Sequence, residues 1–166
     1  MATARSEPGL HRPGARPAAT LLAFRVTAAL LLLFVGADHY YEYSHRDYSV
    51  IPTIGTLFLL DFLAATVLGL LLLAPLRRLP RALGTPALAL VAAGGALLAG
   101  SSLLALLVSE QTKLFGFMEQ NYRPEIVVAI ASEAAAAVAL GVLAAMLVRR
   151  SRGGFRGPAE RAAPGR

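Results

Sequence analysis

Hydrophobic residues in this chain fall into four long blocks, with neither strict alternation nor a simple helical period. The first runs from about Phe24 to Tyr43, the second from Pro52 to Ala74, the third from about Ala87 to Val108 and the fourth from Glu125 to Val148. Crossing a hydrocarbon core of about 30 Å takes about 20 residues of helix. Each block meets that length. Lipid offers no partner to free backbone groups, so each block must close its own hydrogen bonds as a helix. The pattern therefore predicts an all-α fold, a polytopic membrane four-helix bundle. Pro52 suits the first turn of the second helix, where a missing N–H is harmless. Pro124 precedes the fourth helix in the same way, and Pro80 and Pro86 bracket the connection between the second and third.

Outside the blocks the character changes. Residues 1–19 and 149–166 are rich in Pro, Gly, Ala and Arg and have no apolar period, so both are expected to be disordered tails. Residues 20–148 remain as one membrane domain. Of the 16 basic residues, only Arg46, Lys113 and Arg123 lie in the first and third connections; the other thirteen lie in the two tails, at the start of the first span and in the second connection. Positive charge collects on the cytoplasmic side. Both termini are therefore expected in the cytoplasm of a plasma-membrane protein. All five tyrosines, with Phe115 and Phe117, cluster around the two outer connections and read as an aromatic belt. Arg25 followed by an apolar run and Val35-Gly36-Ala37 loosely resembles a signal peptide, but the first block is expected to stay as a span.

Composition narrows the chemistry. Hydrophobic residues make up 56% of the chain and charged ones 16%, below the roughly 25% of soluble domains. There is no cysteine, which excludes disulfides, thiolate metal sites and iron–sulfur clusters. The abundance of Ala, Leu, Gly and Arg fits a GC-rich bacterial source. The net charge of +6 does not point to nucleic acid. Its basic residues flank apolar spans, where they orient the chain and meet anionic lipid.

Two carboxylates stand inside the blocks: Asp61 in the second and Glu133 in the fourth. A helix rises about 1.5 Å per residue, which puts both roughly 12–14 Å below the outer edge of the core. Contact between them is thus possible. Counting in fours from Glu133 gives Ala129, Ala137, Gly141 and Ala145, small residues that let helices approach. Asp61 shares its face with Leu57, Ala64, Ala65 and Leu68, and Ala92, Ala96 and Gly100 with Ser101 and Ser102 offer a partner surface on the third span. No lysine or arginine lies at that depth, so at least one carboxyl is expected to hold its proton. The pair is either a proton relay or cation site, or a structural hydrogen-bonded glue.

A second cluster, Asp38, His39, Glu42 and His45, closes the first span. Asp38, Glu42 and His45 share one helical face and are of metal-binding type. The spacing alone does not close a ligand set. A solvated outer loop is the expected reading, with no metal and no cofactor. The segment 109–124 mixes Phe, Met and Tyr with polar residues and is expected to lie along the outer interface. No phosphate loop, nucleophile elbow or zinc-protease motif is present.

The residues Gly36-Ala37-Asp38-His39, Tyr48, the run Ile51 to Leu60, Leu114 to Glu119 and Ser132-Glu133 together resemble a family of small four-span integral membrane proteins from actinobacteria. In that family a histidine closes the first span, an Ile-Pro-x-Ile-Gly-x-Leu-Phe run opens the second and an Ala-Glu pair is common in the fourth. Here Ser132 stands for that alanine, and Asp61 stands where a polar residue, often asparagine, is expected. The resemblance covers residues 24–148 and implies the fold without an activity. The layout is more distantly similar to DoxX-like four-helix proteins, some of which associate with quinone-linked oxidoreductases. The expected role is a non-enzymatic accessory or envelope-associated membrane component, alone, as a homo-oligomer or with a partner subunit. The alternative is a proton-coupled small transporter or quinone-binding redox subunit using Asp61 and Glu133.

Overall fold

The computed structural model describes residues 15–75, 81–118 and 123–154. They form four helices: α1 (Ala15–His45), α2 (Pro52–Leu73), α3 (Arg81–Ser109) and α4 (Pro124–Gly154). A short 3-10 turn, Tyr48–Val50, joins α1 to α2. All four helices are long and apolar enough to cross a membrane. α1 packs most extensively on α2, and α3 on α4. Contacts of α1 with α4 and of α2 with α3 close the bundle. The core is aliphatic, with Leu32, Val35, Leu72, Leu140 and Leu143 fully buried. The outward faces are aliphatic too: Leu90 and Leu97 are each 74% exposed. Water would not tolerate that perimeter, whereas lipid does.

Several helices overrun their predicted ends. α1 starts at Ala15, inside the expected N-terminal tail, and α4 continues to Gly154 past the expected boundary at 148. Arg and Ala are good helix formers, so propagation does not stop at the edge of the apolar run. Residues 1–14 and 155–166, and Pro80, lie outside the described residues. Pro86 is inside α3, not ahead of it. Proline removes one intrahelical donor, and α3 continues across it.

The seam of α4 also differs from the stripe counted in fours. Gly141 and Ala145 are exposed, and nothing lies within 4 Å of where a Gly141 Cβ would sit. The buried seam is Ser132, Glu133, Ala136, Leu140, Leu143 and Leu147. At 3.6 residues per turn, a step of four drifts by about 40°, so a strict row of fours winds off the interface. Close approach instead occurs between α1 and α2. A Cβ on Gly36 would lie 3.1 Å from that of Ala65, and one on Gly69 would lie 2.7 Å from Leu33.

The two ends of the bundle are held differently. At the basic end, buried Arg25 donates to the carbonyls of Leu72 and Ala74, satisfying acceptors that the end of α2 leaves open. At the aromatic end, the chain leaves α1 after His45 and turns at Asp47, which takes the left-handed conformation at φ 61°. The 3-10 turn then folds back over the start of α2. Gly55 makes that possible: a Cβ there would lie 2.6 Å from the Tyr48 carbonyl oxygen. Its own N–H bonds the Ile51 carbonyl at 2.7 Å.

Gly55→Ala should therefore destabilise the protein by about 1–3 kcal/mol, seen as a lower melting temperature in detergent. Gly141→Ala, a helical position with open space, should be neutral or stabilising by up to about 1 kcal/mol. Equal effects at the two sites would show that the turn yields freely.

Candidate functional site

The polar residues of the spans meet in one place. α1 supplies His39, α2 Asp61, α3 Ser102 and α4 Glu133. The His39 Nε2 atom lies 2.9 Å from Ser102 Oγ, 3.4 Å from Asp61 Oδ2 and 3.5 Å from Glu133 Oε1. Ser102 Oγ in turn lies 2.8 Å from Glu133 Oε1. On the far side of the ring, Nδ1 donates to the Val35 carbonyl at 2.9 Å, one helical turn back. That bond fixes the ring's orientation and leaves Nε2 facing the carboxyls. Glu133 is 2% exposed, while the Asp61 side chain keeps 26% of its surface accessible.

Matching depth was legible for Asp61 and Glu133, and one imidazole nitrogen now reaches both. His39 is a correction. It was expected in the outer polar cluster, yet it is buried between the two carboxyls. α1 extends to His45, so His39 sits six residues, roughly 9 Å, inside the helix end. The rest of that cluster divides. Glu42 is buried, and Asp38 is partly buried and faces the same cavity as Glu42. His45 is exposed, stacks on Tyr41 with ring centroids 4.8 Å apart and sits 2.7 Å from Ser44 Oγ. Asp38, Glu42 and His45 therefore do not converge as metal ligands. Among the described residues, no group of three or more His, Asp or Glu side chains is set to hold a metal ion.

The four-helix cluster lines part of a cavity of about 280 Å³. Toward the aromatic end the cavity is walled by Phe58, Tyr48 and Phe117, with Asp38, Glu42 and Glu125 also on its surface. Tyr48 stacks on Phe58 at 4.8 Å and meets Phe117 edge-on at 5.5 Å. Tyr48, expected in the interfacial belt, is instead a buried cap. Its hydroxyl accepts from Arg123 at 3.1 Å. Tyr40 and Tyr41 do stay exposed, while Tyr122 is outside the described residues. Phe117 is placed by a tight turn. Leu114 and Phe117 exchange backbone hydrogen bonds of 2.7 and 2.9 Å, and Phe115 and Gly116 between them both have positive φ. That pairing of positive angles is the mark of a type I′ reversal; it leaves Phe115 exposed and Phe117 half-buried against Tyr48.

Two ion pairs frame the rim. Arg46 at the end of α1 bonds Glu125 at the start of α4. Arg123 approaches Glu42 at 4.0 Å. Both Glu42 carboxylate oxygens and Glu133 Oε2 are buried without a hydrogen-bond partner among the described residues.

The hydrogen bonds around Ser102 can be satisfied in two ways. A serine hydroxyl has one proton to give. If it donates to Glu133, His39 must donate to Ser102 through Nε2, and with Nδ1 already donating to Val35 the ring is an imidazolium. If Glu133 is a carboxylic acid, it donates to Ser102, which donates to a neutral His39. The two arrangements differ by one proton passed through the hydroxyl.

Comparison with protein-family models, with curated proteins and with solved structures finds no match for the chain.

Removing the imidazole should strand its partners. His39→Ala should cost about 1–3 kcal/mol, the range for leaving buried polar groups unsatisfied, whereas His45→Ala should stay within about 0.5 kcal/mol. Denaturant unfolding in mixed micelles measures both, and indistinguishable values would deny His39 its central place.

Proposed function

We propose that this chain is a non-enzymatic plasma-membrane component whose working part is a proton-exchanging, ligand-accepting cavity in the outer half of the bilayer. The carrying observation is the His39–Ser102–Glu133 chain, whose contacts can all be hydrogen bonds with the proton at either end. A structural glue would need only one fully bonded pair. Here four helices each commit a polar side chain to one spot, and one buried carboxyl oxygen of Glu133 has no donor among the described residues. Burying such groups is costly, so the arrangement favours proton exchange over helix adhesion. The quinone-binding redox reading is the weaker branch of this proposal, because the cavity faces carry acceptors in excess of donors.

The proton path is short and balanced. The Glu133 carboxyl proton moves to Ser102 Oγ as the serine proton moves to His39 Nε2, leaving a carboxylate and an imidazolium. Asp61, 3.4 Å from the same nitrogen, stabilises the imidazolium. We further place both termini in the cytoplasm, on the distribution of Arg and Lys. Anionic lipid at the cytoplasmic arginines, and a second copy or a partner subunit alongside the bundle, complete the proposal. Membership of the four-span actinobacterial family is part of the same reading.

Infrared difference spectra across a pH step, recorded on protein in lipid, test the proton exchange. Wild type should show a carboxyl band that Glu133→Gln removes and that Ser102→Ala uncouples from the imidazole signal. Spectra of wild type and both variants that coincide would defeat the relay. Orientation is separately open to test, since the chain has no native cysteine. A Lys113→Cys variant should react with a membrane-impermeant maleimide in intact cells, and Arg152→Cys only after permeabilisation. The reverse pattern would invert the topology.

A further inference from the structure

The ligand's chemical class follows from what the cavity has left unsatisfied. This step rests on the proposed reading of the cavity as a ligand site. Five carboxyl groups line it: Asp38, Glu42, Asp61, Glu125 and Glu133. The cations facing them are His39, Arg46 and Arg123. Arg46 is engaged by Glu125, and His39 lies between Asp61 and Glu133. Arg123 stands 4.0 Å from Glu42, beyond hydrogen-bond reach, and donates to the Tyr48 hydroxyl. Among the described residues, the carboxyls that line the cavity outnumber the cations on and beside it, even with the imidazole charged.

Among the described residues the residual hydrogen-bonding capacity is chiefly accepting. Glu42 is 6% exposed and Glu133 2% exposed, and between them three oxygens have no donor among the described residues. A carboxylate only accepts, and a carboxyl that holds a proton still keeps an oxygen that only accepts. An occupant that satisfies them must bring N–H or O–H donors, and positive charge strengthens those bonds. The opposite wall is aromatic. Phe58, Tyr48 and Phe117 offer ring faces and edges to an apolar body, and ring faces attract a cation within about 6 Å. The volume of about 280 Å³ lies just below the range for drug-sized ligands, roughly 300–1,000 Å³, and suits a small occupant. A quinone brings carbonyl acceptors and would face acceptors. A bare metal ion would leave the aromatic wall unused, and no suitable ligand group is assembled for it among the described residues.

We propose that the cavity binds a small protonated amine with an apolar or aromatic body, its ammonium group drawn to the carboxyls of Glu42 and Glu133 along the cavity and its body against Phe58 and Tyr48. Glu42 gives the amine its first buried acceptor below the Arg46–Glu125 rim. Glu133 gives the second, beside the proton chain. A bound ammonium thus sits where a proton is exchanged, so that occupancy by the amine competes with the proton on Glu133.

Calorimetric titration of the full-length protein in lipid nanodiscs tests this with three probes: 2-phenylethylamine hydrochloride, the neutral 2-phenylethanol and a short-chain ubiquinone. The amine should bind saturably at one site per chain. The alcohol, of the same shape without the charge, should bind at least about tenfold more weakly, the equivalent of one charge-assisted hydrogen bond. Glu42→Gln and Glu133→Gln should each weaken the amine by a similar factor. Because the alcohol comparison uses wild-type protein, it decides even if a variant fails to assemble. Equal binding of amine and alcohol overturns the proposal, as does absence of amine binding or amine affinity unchanged in both variants. Quinone binding without amine binding, with the infrared carboxyl signal intact, rejects the amine while sparing the proton-exchanging site. Loss of that infrared signal together with all binding rejects the underlying reading itself.

Discussion

Ionisable groups among helices that face lipid persist only where other helices supply their partners. In this bundle that constraint falls on one imidazole. His39 bonds backwards to its own helix through Val35 and forwards to Ser102, and the same forward nitrogen lies within 3.5 Å of Asp61 and Glu133. A polar contribution from every helix at one spot sets the mutual rotation of all four. A helix turned by one residue, about 100°, would expose a carboxyl to hydrocarbon. The aliphatic core is less specific, because Leu and Ala pack acceptably in several rotations.

Two further devices make that spot a cavity, not a sealed knot. Gly36 and Gly69 draw α1 and α2 close along their length, which carries His39 toward Asp61. At the aromatic end, Gly55 lets the 3-10 turn settle on α2, so that Tyr48 covers the opening with Phe58 and Phe117 around it. The carboxyls and the aromatic cap are therefore linked by short stretches of backbone whose geometry depends on missing side chains. Ion pairs at the rim, Arg46 with Glu125 and Arg123 near Glu42, tie α1 to the start of α4. The Arg46–Glu125 pair is the more exposed of the two and is worth less than the buried cluster.

The order of helices explains why a compact chain can hold such a site. Antiparallel neighbours α1–α2 and α3–α4 form two hairpins, and the cavity lies where they meet. Each hairpin alone would present its polar groups to lipid. Together they enclose the groups, and oxygens of Glu42 and Glu133 stay buried there without a hydrogen-bond partner among the described residues. Sites between helices of a bundle commonly arise in this way.

Block length and backbone chemistry determined the membrane class, the number of helices and the all-α fold from residues alone. Equal distance from the helix starts likewise put Asp61 and Glu133 at one depth. These are one-dimensional properties, and the helical rise converts them directly into position. Tertiary structure decided the rest. His39 read as part of a solvated loop because its burial depends on α1 running on to His45 and on three other helices surrounding it. Tyr48 read as a belt residue because only the fold-back over Gly55 turns it inward. The row of small residues through Gly141 misled because rotation about a helix axis is set by neighbours, not by spacing. Depth is written along one chain; facing is settled only when four chains of side chains compete for the same interior.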